Sequence, residues 1–371
     1  MFTHLMKVPF LNPDIREADI QRMAKSVRSG WIARGPYAPQ LEQMLAEYLE
    51  APHAVVISSC TAALHTSLML AGVTRGDEVI TTPLSWVATS NVILYERATP
   101  VFADVDPATG ILDIREVEKK ITKKTKAVIL VHLYGQMADM KAYRKLGKKY
   151  GLAIIEDAAH ALEATRDGYR PGQLGFSACF SFHAAKNITS GQGGALILNT
   201  PAHAERANLL KRDGVVGTNE HRRMVDFGHM HNLTDFQAAL LVGQLGRVRQ
   251  THKKRLAIFE RYERAFRGHP HIRLFARVPG SLHACHMFMI QVDPAFRGEA
   301  RRRLTDLGVQ TSIHYDPIHL EPFYTKKFGF KTGDFPVAES LGASLITLPT
   351  YSRLTSPEQK HVIKSVVSLF A

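Results

Sequence analysis

Between residues 53 and 198, short β-type runs alternate with helical stretches, and this alternation limits the possible folds more than any other feature of the chain. The runs span residues 53–58, 77–83, 100–106, 127–132 and 152–157, with two more on either side of Lys186. Helical spacing separates several of them, over 114–121 and 140–150. Strands joined through helices require a largely parallel sheet that is covered on both faces. Ligands of such sheets sit at the carboxyl ends of the strands. Three of those ends carry polar residues here: His132, Asp157 and Ser181.

Phe180, Ser181 and Phe182 precede Lys186, and a turn with Gly191, Gly193 and Gly194 leads from it into the apolar run 195–198. Lysine is costly to bury and is seldom set between core strands without a task. One task that suits the position is Schiff-base formation with a carbonyl, for which the amine must be partly desolvated. Read alone, Lys186 is a solvated lysine on a loop, and Asp157 shifts that balance. It ends the strand that begins with the apolar run 152–155, at the sheet's ligand edge. A buried aspartate needs a cationic or donor partner. The protonated pyridine nitrogen of a pyridoxal-phosphate site is one such partner.

Residues 58–65, SSCTAALH, add a strand end, a turn of small hydroxyl residues and a helix start. Free amides and hydroxyls in that arrangement make an anion site, and Ser59 or Thr61 can cap the helix at the same time. There is no GxGxxG after a first strand and no GxxxxGK[ST], so the usual nicotinamide and nucleotide-triphosphate loops are missing. Neither HExxH nor a Cys/His cluster points to a metal.

Residues 14–28 read as a helix capped by Asp14, with Ile20, Met23 and Val27 on one face. A glycine-rich loop at 29–36 holds Trp31 before a second helix over 40–49; such a loop lines a pocket or packs on the domain. Residues 84–91 open another helix, with Trp86 near its start. From Asn232 an apolar helical face capped by Thr234 runs, with a break, through Phe266. Beyond it lie a strand over 287–292, a helix over 300–307 and a strand over 311–315. The last helix covers 356–370, with Ser356 as cap and Pro357 in its first turn. The chain therefore divides into a large domain with an N-terminal arm (1–250) and a small α+β domain (251–371).

With 371 residues and 45% hydrophobic content, both units can bury a core. No apolar run reaches the roughly 18 residues a membrane helix needs, and residues 1–20 lack the order of a secretory signal. Cys60, Cys179 and Cys285 are too scattered for a disulfide framework. A soluble cytoplasmic protein is expected. The net charge of +13 is spread over helix faces, which argues against nucleic acid and suits a phosphate-bearing substrate.

With these motifs the chain resembles the DegT/StrS family of nucleotide-sugar aminotransferases. The resemblance runs nearly end to end through SGWI (29–32), SSCTAALH (58–65), GDEVI (76–80), PVFADVD (100–106), VHLYGQ (131–136), EDAAH (156–160), SFHAAKNIT (181–189) and HNLTD (231–235). Its spelling is most similar to the branch that makes 4-amino sugars on UDP, as in the 4-amino-arabinose and pseudaminic-acid pathways. The family implies a pyridoxal-phosphate-dependent transferase of fold type I, an α/β fold. Its mostly parallel, seven-stranded sheet is covered by helices and followed by a smaller α+β domain.

The resemblance also implies residue roles. Lys186 would hold the cofactor and move the substrate proton, and Asp157 would pair with the ring nitrogen. Trp86 would stack on the ring, with His160 near the ring hydroxyl. Ser59, Cys60, Thr61, Ala62 and Ser181 would hold the phosphate. Asn232 would reach it from the neighbouring subunit of a homodimer with shared sites. Trp31, Ile32, Ala33, Arg34, His183, His314, Tyr315 and Asp316 would contact the sugar nucleotide. The implied reaction moves an amino group from L-glutamate to a keto group, at C4, of a nucleotide-linked sugar for bacterial surface polysaccharide. Departures from the family pattern are Cys60 for Gly or Ala, Gln192 for the Glu of a GEGG turn, and His231 for Tyr. A minority branch with histidine in place of the lysine deoxygenates sugars, so Lys186 favours transamination. The alternatives are a pyridoxal-phosphate enzyme acting on a small amino acid, or a regulatory or nucleic-acid-binding protein on a relict cofactor fold.

Overall fold

The computed structural model describes residues 6–217 and 220–371. The first five residues of the segment read for a secretory signal lie outside them. The central sheet comprises β1 (His53–Ile57), β2 (Glu78–Thr81), β3 (Thr99–Phe102), β4 (Thr125–Val131), β5 (Ala153–Asp157), β7 (Ser177–Ser181) and β8 (Gly194–Leu198). Their order is β1-β8-β7-β5-β4-β2-β3. From β7 to β3 every neighbouring pair is parallel, whereas β8 runs against both β7 and β1. The reversal is local in origin. β7 and β8 are joined by the lysine loop instead of a helix, and a short connection returns the chain antiparallel. The expected mostly parallel, helix-covered sheet is present.

Side chains alternate across each strand, and the two faces have separate cores. On one face Val56, Ile80, Val128, Leu130, Ile154 and Phe180 pack with α2 (Tyr37–Leu49), α5 (Ile114–Lys120), α6 (Met140–Tyr150) and α8 (Asp235–Gly246). On the other, Val55, Val79, Ile129, Ile155 and Cys179 pack with α3 (Cys60–Leu70), α4 (Ala88–Tyr95) and α7 (Pro201–Leu210). A third cluster gathers α9 (Val248–Phe266), β12 (Phe288–Gln291), α10 (Pro294–Asp306), β13 (Leu345–Leu348) and α13 (Ser356–Val367), joined by Val8. Residues of α11 (Pro322–Phe328) and α12 (Pro336–Ser344) pack back onto the first core. Short ladders pair β6 (Thr165–Arg166) with β11 (Ser281–Leu282), and β9 (Val215–Val216) with β10 (Arg223–Met224).

Several local expectations need correction. The helix α1 (Glu17–Arg28) is entered through Arg16, whose N–H donates to Asp19 at 2.9 Å, while Asp14 instead accepts from the Arg16 guanidinium. α13 is capped by Thr355, not Ser356; its backbone N–H donates to Glu358 at 2.7 Å, closing a capping box. α2 starts at Tyr37, before residue 40, because the Asp235 carboxylate accepts the free Tyr37 and Ala38 amides. The long helical stretch breaks at Arg247, whose guanidinium is drawn to Asp19 of α1 at 2.8 Å. The strand expected over 311–315 is reduced to one bridge, Ser312 to Thr347. That segment turns away to reach the cleft. Among the described residues no helix is long and apolar enough to cross a membrane.

Candidate active site

The ends of β5 and β7 and the start of α3 open onto one cleft of about 530 Å³. Asp157 closes β5 there and is buried. Its carboxylate accepts from the Thr89 hydroxyl at 2.9 Å and the Ala159 amide at 3.1 Å. Among the described residues it has no ion-pair partner, and burial raises its pKa against those two donors. Lys186 lies on the loop after β7 and lines the same cleft. Desolvation brings its amine down to about 8, opposed by the charges of Cys60 and Asp157. The Cys60 thiol lies 3.9 Å from Asp157 and is pushed up by burial.

Ser59 caps α3, its hydroxyl accepting from the Ala62 amide at 3.0 Å. The Ala62 N–H is therefore occupied within the chain, while the Cys60 and Thr61 amides have no acceptor among the described residues. The turn sits directly on β8. A Cβ at Gly194 would meet the Ser59 carbonyl carbon at 2.4 Å, so only glycine lets strand and turn approach this closely.

Trp86 is 61% exposed, with its ring 6.3 Å from that of Tyr315. His160 is buried. Its Nδ1 accepts from the Tyr134 amide at 3.2 Å, so the ring proton resides on Nε2, 3.2 Å from the Tyr315 hydroxyl. Tyr134 donates in turn to the His314 carbonyl at 2.6 Å. Burial, then the charge of Lys186, lowers His314 to about 4. His183 and Ser181 also line the cleft.

Other anticipated residues lie elsewhere. Trp31, Ile32, Ala33 and Arg34 are exposed and none lines this chain's cleft; Trp31 is 63% exposed. Asn232 is half-buried outside the cleft and donates to the Met230 sulfur at 3.3 Å. Asp316 faces Arg297 at 3.7 Å. His132, although at a strand end, is fully buried against Glu156 at 2.7 Å, away from the cleft. Thr89, Ser85 and Met287 line the cleft without having been singled out. Thr89, three residues after Trp86 on a helical start, was the one with a signal.

Pyridoxal phosphate fits this donor set. A buried carboxylate without a cation suits its ring nitrogen, two unpaired amides at a helix N-terminus suit its phosphate, and a desolvated amine suits its carbonyl.

Comparison with known proteins agrees. The model of the DegT/DnrJ/EryC1/StrS aminotransferase family matches residues 13–367. The spore coat polysaccharide biosynthesis protein SpsC of Bacillus subtilis (strain 168) is 36% identical over 374 residues, covering 97% of this chain and 96% of that protein. Among solved structures, DesV of S. venezuelae is 33% identical with a TM-score of 0.93, covering 98% of each chain. Helicobacter pylori PseC, an aminotransferase involved in the biosynthesis of pseudoaminic acid, is 27% identical with a TM-score of 0.93, covering 98% of this chain and 99% of its own. The Streptococcus pneumoniae putative sugar aminotransferase Spr1654 is known in PLP and PMP forms, the former 30% identical with a TM-score of 0.92 and 98% coverage of both chains. The chain belongs to the DegT/DnrJ/EryC1/StrS aminotransferase family and is a pyridoxal-phosphate-dependent transaminase.

Proposed function

We propose that this transaminase takes an amino group from L-glutamate and delivers it to the C4 keto group of a nucleotide-linked sugar, in the UDP branch of the family. The product would serve a bacterial surface polysaccharide, as the name of SpsC, a spore coat polysaccharide biosynthesis protein, suggests for that protein. One observation carries the reading of the site: a single cleft is lined by the Lys186 amine and by the buried Asp157 carboxylate, which has no ion-pair partner among the described residues.

Bound there, pyridoxal phosphate supplies an electron sink that eases loss of a proton from the substrate carbon. Lys186 is the base that takes this proton and returns it. An amine near pKa 8 populates both protonation states near neutrality, as general acid–base work requires. Asp157, oriented by the Thr89 hydroxyl and the Ala159 amide, would hold the ring nitrogen and favour its protonated form. Trp86 would pack against the cofactor ring, and the His160 Nε2–H bond with Tyr315 fixes a polar wall that would meet the ring hydroxyl. The Cys60 and Thr61 amides hold the phosphate with the hydroxyls of Ser59, Thr61 and Ser181. Ala62 contributes by holding Ser59.

His183, His314, Tyr315 and Asp316 are assigned to the sugar nucleotide. The exposed Trp31, Ile32, Ala33 and Arg34, together with Asn232, are assigned to the cleft of a second copy in a cytoplasmic homodimer. We also place the division between the two domains near residue 250. The test is a panel of keto-sugar nucleotides assayed for glutamate-dependent amination, with Lys186→Ala beside the wild type. Amination of a 4-keto sugar nucleotide by the wild type alone is expected. Turnover by Lys186→Ala, or amination confined to small keto acids, would overturn the reading.

A further inference from the structure

Against the cleft at Lys186 lies a second, small space of about 10 Å³, the scale of a single water molecule, whose lining includes Glu163, Asn187, His160 and His286. Asn187 follows Lys186 directly, and its carboxamide is fully engaged. Nδ2 donates to Glu163 Oε2 and to the Ala284 carbonyl, both at 2.9 Å. With both its hydrogens so used, Oδ1 is the acceptor for His286 Nδ1 at 3.0 Å. One side chain thus ties the lysine loop to the segment after β5 and to the segment before β12. Glu163 is 1% exposed and His286 is 4% exposed.

Among the described residues, buried Glu163 Oε1 and His286 Nε2 each find no hydrogen-bond partner. The ring of His286 lies 4.7 Å from that of the cleft residue His160, tilted by 31°. The charged and titratable neighbours of Glu163 include His252 and Arg255 of α9, Tyr48 of α2 and Cys285; those of His286 include Lys186, His160, Arg255 and His314.

We propose that Asn187, clamped between Glu163 and His286, is the positioning residue for the Lys186 amine. The clamp fixes where on the loop the amine stands and how deeply it is desolvated. This rests on Lys186 being the reactive amine, and it adds residues that touch neither substrate nor cofactor.

The test uses the holoenzyme, reading steady-state kinetics and the pH midpoint of its visible absorbance band. In Asn187→Ala, kcat is expected to fall about 10- to 100-fold, as for a reacting group misplaced by about an ångström. KM for glutamate should change little, and the absorbance midpoint should move by about half a pH unit or more. His286→Leu should follow it, whereas His286→Asn, which restores a donor in place of Nδ1, should recover most of both signals. Likewise Glu163→Gln keeps an acceptor for Asn187 and should outperform Glu163→Leu. The proposal is overturned if Asn187→Ala keeps the wild-type kcat and midpoint, or if His286→Asn is as impaired as His286→Leu. Should Asn187→Ala not fold, the His286 pair decides. Lys186→Ala separates the two readings: if it retains turnover, the assignment of the lysine fails; if it is dead while Asn187→Ala is normal, only the clamp fails.

Discussion

Glu156 and Asp157 are consecutive on β5 and almost equally buried, at 0% and 5% exposure, yet their surroundings differ completely. The pleat sends them to opposite faces of the sheet. Glu156 accepts from His132 Nε2 at 2.7 Å and from the Gly172 and Gly175 amides at 3.0 and 3.1 Å. His132 Nδ1 accepts from the Ala138 amide, so the proton that Nε2 donates is fixed. Every atom of that pair is satisfied by the chain. Asp157 has one hydroxyl, one amide and the Cys60 thiol at 3.9 Å, with no cation paired to it among the described residues, and it faces an open cleft. The comparison teaches that a buried carboxylate is structural when its own chain completes it. Where the chain leaves it incomplete beside a cavity, it awaits a ligand.

The largest effect separates the two directly. Asp157→Asn should lower kcat/KM about 100- to 1000-fold, some 3–4 kcal/mol, with the thermal transition nearly unchanged. Glu156→Gln should do the reverse. It loses about 1–3 kcal/mol of stability by urea titration, because one buried acceptor becomes a donor facing donors. Activity per folded molecule should stay within about threefold of wild type. The contrast breaks if Glu156→Gln stays fully stable and loses turnover as severely as Asp157→Asn.

Glycines sharpen it at a smaller scale. A Cβ at Gly175 would stand 2.5 Å from Glu156 Oε1, and one at Gly194 2.4 Å from the Ser59 carbonyl carbon. Gly175→Ala should therefore cost about 1–3 kcal/mol of stability as overpacking does. In Gly194→Ala the displaced element is the helix-start turn. Cofactor retention, followed by absorbance after gel filtration, should fall about tenfold or more. Equal losses of stability with no cofactor release from Gly194→Ala would show that the turn is not a binding element.

Much of this was legible in the sequence. The apolar run 152–155 followed by two carboxylates marked a buried strand reaching a ligand edge, and Lys186 between β-type runs marked the amine. The strand end, hydroxyl turn and helix start of 58–65 were legible because the three are contiguous. What escaped is what distant chain segments decide. Thr89 meets Asp157 across 68 positions, and Asn187 meets Ala284 across 97. Local periodicity contains neither pairing. The cap of α2 was missed for the same reason, since its acceptor is Asp235, 198 positions from Tyr37. His132 misled because a polar strand end was read as facing the ligand, whereas its partner is the inner carboxylate of the next strand.

The smallest effect concerns two desolvated amines, those of the half-buried Lys186 and the buried Lys211. Lys211 donates to Glu42 at 3.2 Å and to the Val56 carbonyl at 3.0 Å, whereas Lys186 has no ion-pair partner among the described residues. Folding lowers the Lys186 amine from its ordinary 10.5 to about 8. Between those values the unfolded chain binds more protons than the folded one, so the stability of the cofactor-free protein rises with pH through that window. Below about 8 the full cost of desolvating a charged amine is present. A Lys186→Met protein has no such group, and its stability should lack this component. Measured by urea titration at pH 8 and pH 9, the wild type should therefore gain about 1 kcal/mol relative to Lys186→Met, the linkage expected of one amine with that midpoint. Lys211→Met should instead lose stability at both pH values, because it strands Glu42. A flat difference between wild type and Lys186→Met would mean that the Lys186 amine is fully hydrated in the fold, and the contrast between a completed lysine and an incomplete one would be lost.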